Sequence, residues 1–222
     1  MFRFVGKLFA AYFLCLCLPA LADPAPTTSL EDAQQLISKI HAEDVFEPVA
    51  EPLLPNGAPF ISVRHIATGY ICRFNNDALY IPNALAVFPS DVRGNDVGCT
   101  NSDAFGWSSI YLTKDSIAFP LDERLKIVAL AIKSRSPEAA PYTPKVEITA
   151  TKNGVALLES KSAAFLIQTD EGQRATHVHL AERAGWVLKQ RFTGKPDLNS
   201  DMAMGEDWMA ALGQFASLPL SK

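Results

Sequence analysis

Two histidines, His177 and His179, flank one valine, and at i and i+2 of a β-strand their rings point the same way,. H-x-H of this kind occurs in metal sites, so the first question is what lies across from it. If Arg183-Ala184-Gly185 forms a three-residue hairpin loop with Gly185 left-handed, Leu180 faces Leu188, His179 faces Lys189 and His177 faces Arg191,. Cationic neighbours repel a divalent ion, which turns the expectation from metal to anion. The four residues His177, His179, Lys189 and Arg191 would form a basic stripe able to hold a phosphate, a carboxylate or an acidic partner, more tightly as the histidines protonate near about pH 6.5. The plainer alternative is a solvated sheet face.

A second group is acidic. Asp91, Asp96 and Asp103, with Asn95 and Asn101 around Gly94 and Gly98, make an oxygen-rich stretch that could hold calcium,. It lacks the D-x-D-x-D-G core and the distal bidentate glutamate, and turn-forming residues are expected in a loop in any case. His65 shares a strand face with Ile61 and Val63, as a hydrogen-bonded core histidine would. Ser108 and Ser109 follow Gly106-Trp107 without a nucleophile elbow, and there is no H-E-x-x-H, phosphate loop or dinucleotide fingerprint,. No cofactor is implied, and no motif names a reaction.

The chain has four cysteines. Cys15 and Cys17 lie in an apolar stretch behind Arg3 and Lys7, which leaves Cys72 and Cys99 to pair with each other. That bridge would close a 27-residue separation, worth about 3 to 4 kcal/mol in the chain-entropy account,. A structural bridge is expected rather than a redox pair, which is usually C-x-x-C.

The elements that must position these residues read as follows. Leu30, Ala33, Ile37 and Ile40 recur at helical spacing, and Pro48, Pro52, Pro55 and Pro59 then mark an extended connector,. Ile61–His65 and Tyr70–Phe74 alternate as a hairpin through Thr68-Gly69, with short strands at 78–81 and 84–88. A long Asp/Asn/Gly/Ser loop is expected over 89–106, pinned by Cys99. Trp107, Ser109 and Tyr111 alternate with Ile110 and Leu112 on a further strand. Leu121, Leu125, Val128, Ala129 and Ile132 form an amphipathic helix. After Pro144 comes a meander: Val146, Ile148 and Ala150 lead to an Asn153-Gly154 turn that sets Ala150 opposite Leu157. Strands follow at 163–169, 175–182 and 186–193, then a helix within 201–217 with Met204, Trp208, Leu212 and Phe215 along one stripe. This is an α+β arrangement: an antiparallel sheet with about three helices and one disulfide.

Residues 8–18 suit the apolar region of a signal peptide, and Ala20-Leu21-Ala22 supplies a small-x-small cleavage site,. The expected organisation is a cleaved leader at 1–22, a helix and connector at 23–59 and an α+β domain at 60–222 that could be subdivided near 114–143. Losing Arg3 and Lys7 with the leader takes the net charge from −4 to −6, which argues against nucleic-acid or anionic-membrane partners,. No asparagine opens an N-x-Ser/Thr sequon, which favours a bacterial periplasm over a glycosylating pathway. The expectation is an exported, non-catalytic binding protein with a small anion or an envelope protein as partner. A small hydrolase or metal-dependent enzyme, and a structural accessory subunit of an envelope complex, are the alternatives.

Overall fold

The structure, a computed structural model, describes residues 28–51, 60–115, 117, 119–146, 148, 151–152, 155–156 and 158–220. The expected leader, positions 52–59 of the connector, and Ala150, Asn153, Gly154 and Leu157 of the meander lie outside the described residues. Helix α1 (Thr28–Lys39) leads into a three-stranded antiparallel sheet of order β1-β2-β3, built from β1 (Phe46–Val49), β2 (Ile61–His65) and β3 (Ile71–Phe74). Strand β1 occupies part of the expected connector. A proline is tolerated in it because β1 is an edge strand, where Pro48 opposite Val63 leaves no interior ladder bond unmade,. The strand expected at 78–81 is instead a 3-10 turn (Asn76–Tyr80), closed by Ala78 N–H donating to Asn75 O at 3.0 Å and Ile81 N–H to Ala78 O at 3.1 Å.

The second sheet has seven strands. They are β4 (Leu85–Val87), β5 (Asp96–Ser102), β6 (Gly106–Lys114), β7 (Ala140–Pro141), β10 (Ser160–Thr169), β11 (Gly172–Arg183) and β12 (Trp186–Gly194), in the antiparallel order β4-β5-β6-β12-β11-β10-β7. Helix α2 (Leu121–Arg135) lies between β6 and β7 in the chain, a separate hairpin joins β8 (Thr151–Lys152) to β9 (Val155–Ala156), and α3 (Leu198–Ser217) ends the fold. Strand β5 runs through the stretch expected to be a loop. Its Val97 and Cys99 bury on one side while Gly98 and Thr100 take the other, an alternation too poor in apolar residues to stand out,. The Cys72–Cys99 disulfide therefore joins β3 to β5, one strand from each sheet, rather than holding a loop.

Two apolar clusters flank the large sheet. On one side α1, the small sheet and α3 pack with Val97, Leu112, Ala181, Trp186 and Leu188, and the expected α3 stripe of Met204, Trp208, Leu212 and Phe215 is fully buried. On the other side α2 sets Ile132 against Phe165, Ile167, Val178, Leu180 and Val187. No described helix is long and apolar enough to cross a membrane.

Strands β11 and β12 pair Arg183 with Trp186, so their turn has two residues, not three. Ala184 (φ 52°) and Gly185 (φ 74°) are both left-handed, as a type I′ turn requires,. Every pair is thereby moved by one residue from the expected register: Leu180 faces Lys189, His179 faces Gln190 and His177 faces Phe192. A one-residue slip exchanges the two faces of a strand. This register gives α2 its apolar bed of Val178, Leu180 and Val187, and leaves Ala181, Leu188 and Phe192 to the α3 side. Ala184 carries the strain of its Cβ in a left-handed conformation, so Ala184→Gly should raise stability in urea unfolding by about 0.5 to 1 kcal/mol. A loss of similar size would show that Ala184 is not left-handed.

Candidate functional site

The residues expected as one basic stripe fall on opposite faces of the sheet. His177 and His179 lie beneath α3, 1% and 7% exposed. The His177 Nε2 is 3.2 Å from Asp201 Oδ1, while Asp201 Oδ2 accepts from the Tyr142 hydroxyl at 2.9 Å and from Lys145 N–H at 2.7 Å. The Tyr142 ring stands edge-on to the imidazole at 5.5 Å. Burial pulls His177 below the ordinary histidine range against the opposing pull of Asp201, and holds the Tyr142 phenol up at about 12, aided by its bond to Asp201,. His179 stacks on Trp208 at 5.1 Å with Nε2 3.0 Å from Met204 Sδ, and burial takes it down to about 3. These are polar groups of the core and are closed to a ligand.

Lys189 and Arg191 occupy the other face. Helix α2 covers β10 and β11 but reaches only the start of β12, so among the described residues no helix lies over the rest of β12 or over β6, β5 and β4 on this side. Register places Tyr111 beside Lys189, Ser109 beside Arg191 and Trp107 beside Thr193. The Lys189 ammonium sits 4.1 Å from the Tyr111 ring centroid, a cation–π contact,. The Arg191 Nε donates to Thr176 Oγ1 at 3.2 Å, and Ser109 shares a 3.0 Å hydroxyl bond with Thr100. Burial lowers both cations from their ordinary values, and Arg135 from the last turn of α2 lowers them further by its like charge,. Among the described residues no carboxylate lies within ion-pair distance of Lys189, Arg191 or Arg135. Asp96, held by Thr113 at 3.0 Å, is the acid whose field reaches Lys189.

Three depressions open around this patch. One of about 490 Å³ lies at the Trp107–Thr193 end, one of about 610 Å³ beside Tyr111, Phe88 and Gly98, and one of about 200 Å³ between Lys189 and α2. Gly98 makes the middle of the face passable: a Cβ there would stand 3.1 Å from the Phe88 ring and 3.2 Å from that of Tyr111. Trp107 is 51% exposed, whereas Trp186 and Trp208 are buried.

The acids expected as a calcium group are not together. Asp96 and Asp103 lie at or just past opposite ends of β5, roughly 20 Å apart at the usual rise, and Asp103 already accepts from the backbone N–H of Phe105 at 2.7 Å and of Gly106 at 3.0 Å,. Asp91 is on the exposed segment before β5. No group of three or more His, Cys, Asp or Glu able to hold a metal exists among the described residues. A further cleft of about 280 Å³ lies beside the disulfide, but its Arg73 is engaged by Glu51 and Gln214.

Sequence reasoning missed the parts played by Trp107, Tyr111 and Arg135. The alternation of Trp107, Ser109 and Tyr111 was visible, but nothing local indicates which side of that strand a helix covers. No family model matches the chain, and no curated protein matches it significantly. Among solved structures, PA94 from Pseudomonas aeruginosa, a protein of unknown function, is similar at 12% identity over 70% of this chain and 94% of its own, with a TM-score of 0.34. A likeness of that size supports no argument about function.

His65 adds a third buried histidine. Its Nε2 donates to Gly94 O at 2.9 Å, its Nδ1 accepts from the Thr68 hydroxyl at 2.8 Å, and burial brings it down to about 4. The unfolded chain binds that proton near about pH 6.5 and the folded chain only near 4, so stability falls as pH drops through this window. Between pH 7 and 4.5 the His65 contribution to the loss should be on the order of 2 to 3 kcal/mol, measurable by urea unfolding at both pH values. His65→Gln should shrink the pH dependence by that amount; an unchanged dependence would remove His65 as its source.

Proposed function

We propose that the protein is an exported, non-catalytic binding protein of the cell envelope whose ligand carries negative charge and is held on the open sheet face by Lys189, Arg191 and Arg135. One observation carries this reading: on a chain of net charge −4, Lys189 and Arg191 of the strand face lie within the field of Arg135 from the end of α2, with no described carboxylate paired to any of the three. Unpaired, partly desolvated cations repel one another, and an anion placed among them relieves that repulsion and accepts hydrogen bonds from the Arg191 guanidinium. The part-exposed hydroxyls of Ser109, Thr100 and Thr193 line the same face, Ser109 bonded to Thr100 and Thr193 to the buried Thr176. The buried His177–Asp201–Tyr142 group supports the fold beneath this surface and supplies no accessible base or nucleophile to it. Export rests on the leader pattern at 1–22 and the single disulfide, and the absence of sequons favours a bacterial periplasm as the compartment,.

Thermal shift and calorimetry with citrate and inorganic phosphate at low salt test the reading. The wild-type chain should gain melting temperature with either anion, less so as salt screens the site. Lys189→Ser with Arg191→Ser should weaken binding by tenfold or more. No response in the wild-type chain, or an equal response in the double variant, would contradict the proposal.

A further inference from the structure

We infer that the ligand is an acidic oligosaccharide, a short chain of uronic-acid type, lying along β6 from Trp107 toward Tyr111. This rests on the anion-binding reading of the same face and adds to it the chemistry at its Trp107 end. A compact anion needs only the cations. The face also presents a half-exposed indole at Trp107 and Phe105 at 45% exposure, bordering the depression of about 490 Å³. Flat aromatic faces that remain wet are amphipathic platforms, suited to a partner with an apolar C–H face and polar edges, which describes a pyranose ring. Trp107 is two residues along β6 from Ser109, about 7 Å, and Arg191 is one strand further, about 5 Å,. Trp107 to Tyr111 covers about 14 Å at the same rise, the length of a short oligosaccharide.

Charge is divided along this path. At the Trp107 end three acids, Asp103, Asp170 and Glu171, stand against two cations, Lys195 and Arg174, the latter bound to Glu171 at 2.5 Å. In the middle stand Lys189 and Arg191. Sugar hydroxyls donate to carboxylates, so the acidic end accepts them while a sugar carboxylate meets the cations. Single-stranded nucleic acid also combines stacking with cations, but it carries a phosphate at every step and would bring one against the acids around Trp107. The distribution of charge therefore favours the saccharide.

Calorimetry with trigalacturonate and trimannuronate, alongside citrate, maltotriose and a thymidine oligonucleotide, decides it. At least one acidic trisaccharide should bind the wild-type chain at least tenfold more tightly than citrate does, and quench the emission of Trp107. Trp107→Ala should weaken that trisaccharide by tenfold or more and leave citrate unchanged. Lys189→Ser with Arg191→Ser should weaken both. Maltotriose should bind at least tenfold more weakly than the acidic trisaccharide. If citrate binds and neither acidic trisaccharide binds more tightly, or if Trp107→Ala leaves the trisaccharide unchanged, the saccharide inference fails while the anion reading stands. If the oligonucleotide binds more tightly than both trisaccharides, the saccharide inference also fails. If nothing charged binds, both fail.

Discussion

The pairing of β11 with β12 through a two-residue left-handed turn governs which side chains of the large sheet are sealed and which are open. With Arg183 opposite Trp186, the alternation carries His177, His179 and Ala181 to the α3 side together with Leu188 and Phe192. It carries Val178 and Leu180 to the α2 side together with Val187, Lys189 and Arg191. Had the turn held one more residue, the two sets on β12 would trade places and the cations would be driven beneath α3. The two buried imidazoles are held differently: Asp201 and Tyr142 flank His177, whose Nδ1 has no hydrogen-bond partner among the described residues, and Met204 and Trp208 hold His179,.

The asymmetric cover of this sheet follows from the lengths of its parts. Helix α2, with Ile132 as its buried anchor, spans β10 and β11 and reaches the start of β12, and beyond that the sheet continues through β6, β5 and β4 with no described helix above it. On the opposite side α3 lies over β11, β12 and β6, and the small sheet lies against β5. The Cys72–Cys99 bridge ties that small sheet to β5 and so holds the closed side shut, which leaves the open side as the one with room for a ligand. Gly98 and the Tyr111–Phe88 pair shape that side without filling it.

Much of this architecture is legible in the residues. Helical spacing in Leu121–Ile132 and in the Met204–Phe215 stripe, alternation in Ile61–His65 and Trp107–Thr113, and the isolation of Cys72 and Cys99 each report local rules that the tertiary structure keeps. Three features were not legible, each for a physical reason. Strand β1 contains Pro48 and is tolerated only because it is an edge, which a linear reading cannot know. Strand β5 is built from Asp, Gly, Thr and Asn, whose turn preferences mask an alternation supplied by two buried residues. Ala184 in a left-handed conformation is against its own preference, so a three-residue loop with Gly185 alone left-handed read as the better turn and placed the histidines with the cations. The candidate site was thus half visible: Lys189 and Arg191 are singled out by the sequence, but their neighbours Tyr111, Trp107 and Arg135 depend on which face a helix covers.

The most direct test of this arrangement is the titration of the histidine rings by NMR, with His177 and His179 assigned through single His→Gln variants. Sealed beneath α3, His179 should keep the signature of a neutral ring from pH 8 to 5, and His177 should titrate below the ordinary midpoint of about 6.5,. If either ring titrates at about 6.5 or above, the histidines face solvent with the cations, and the register that separates the two faces is wrong.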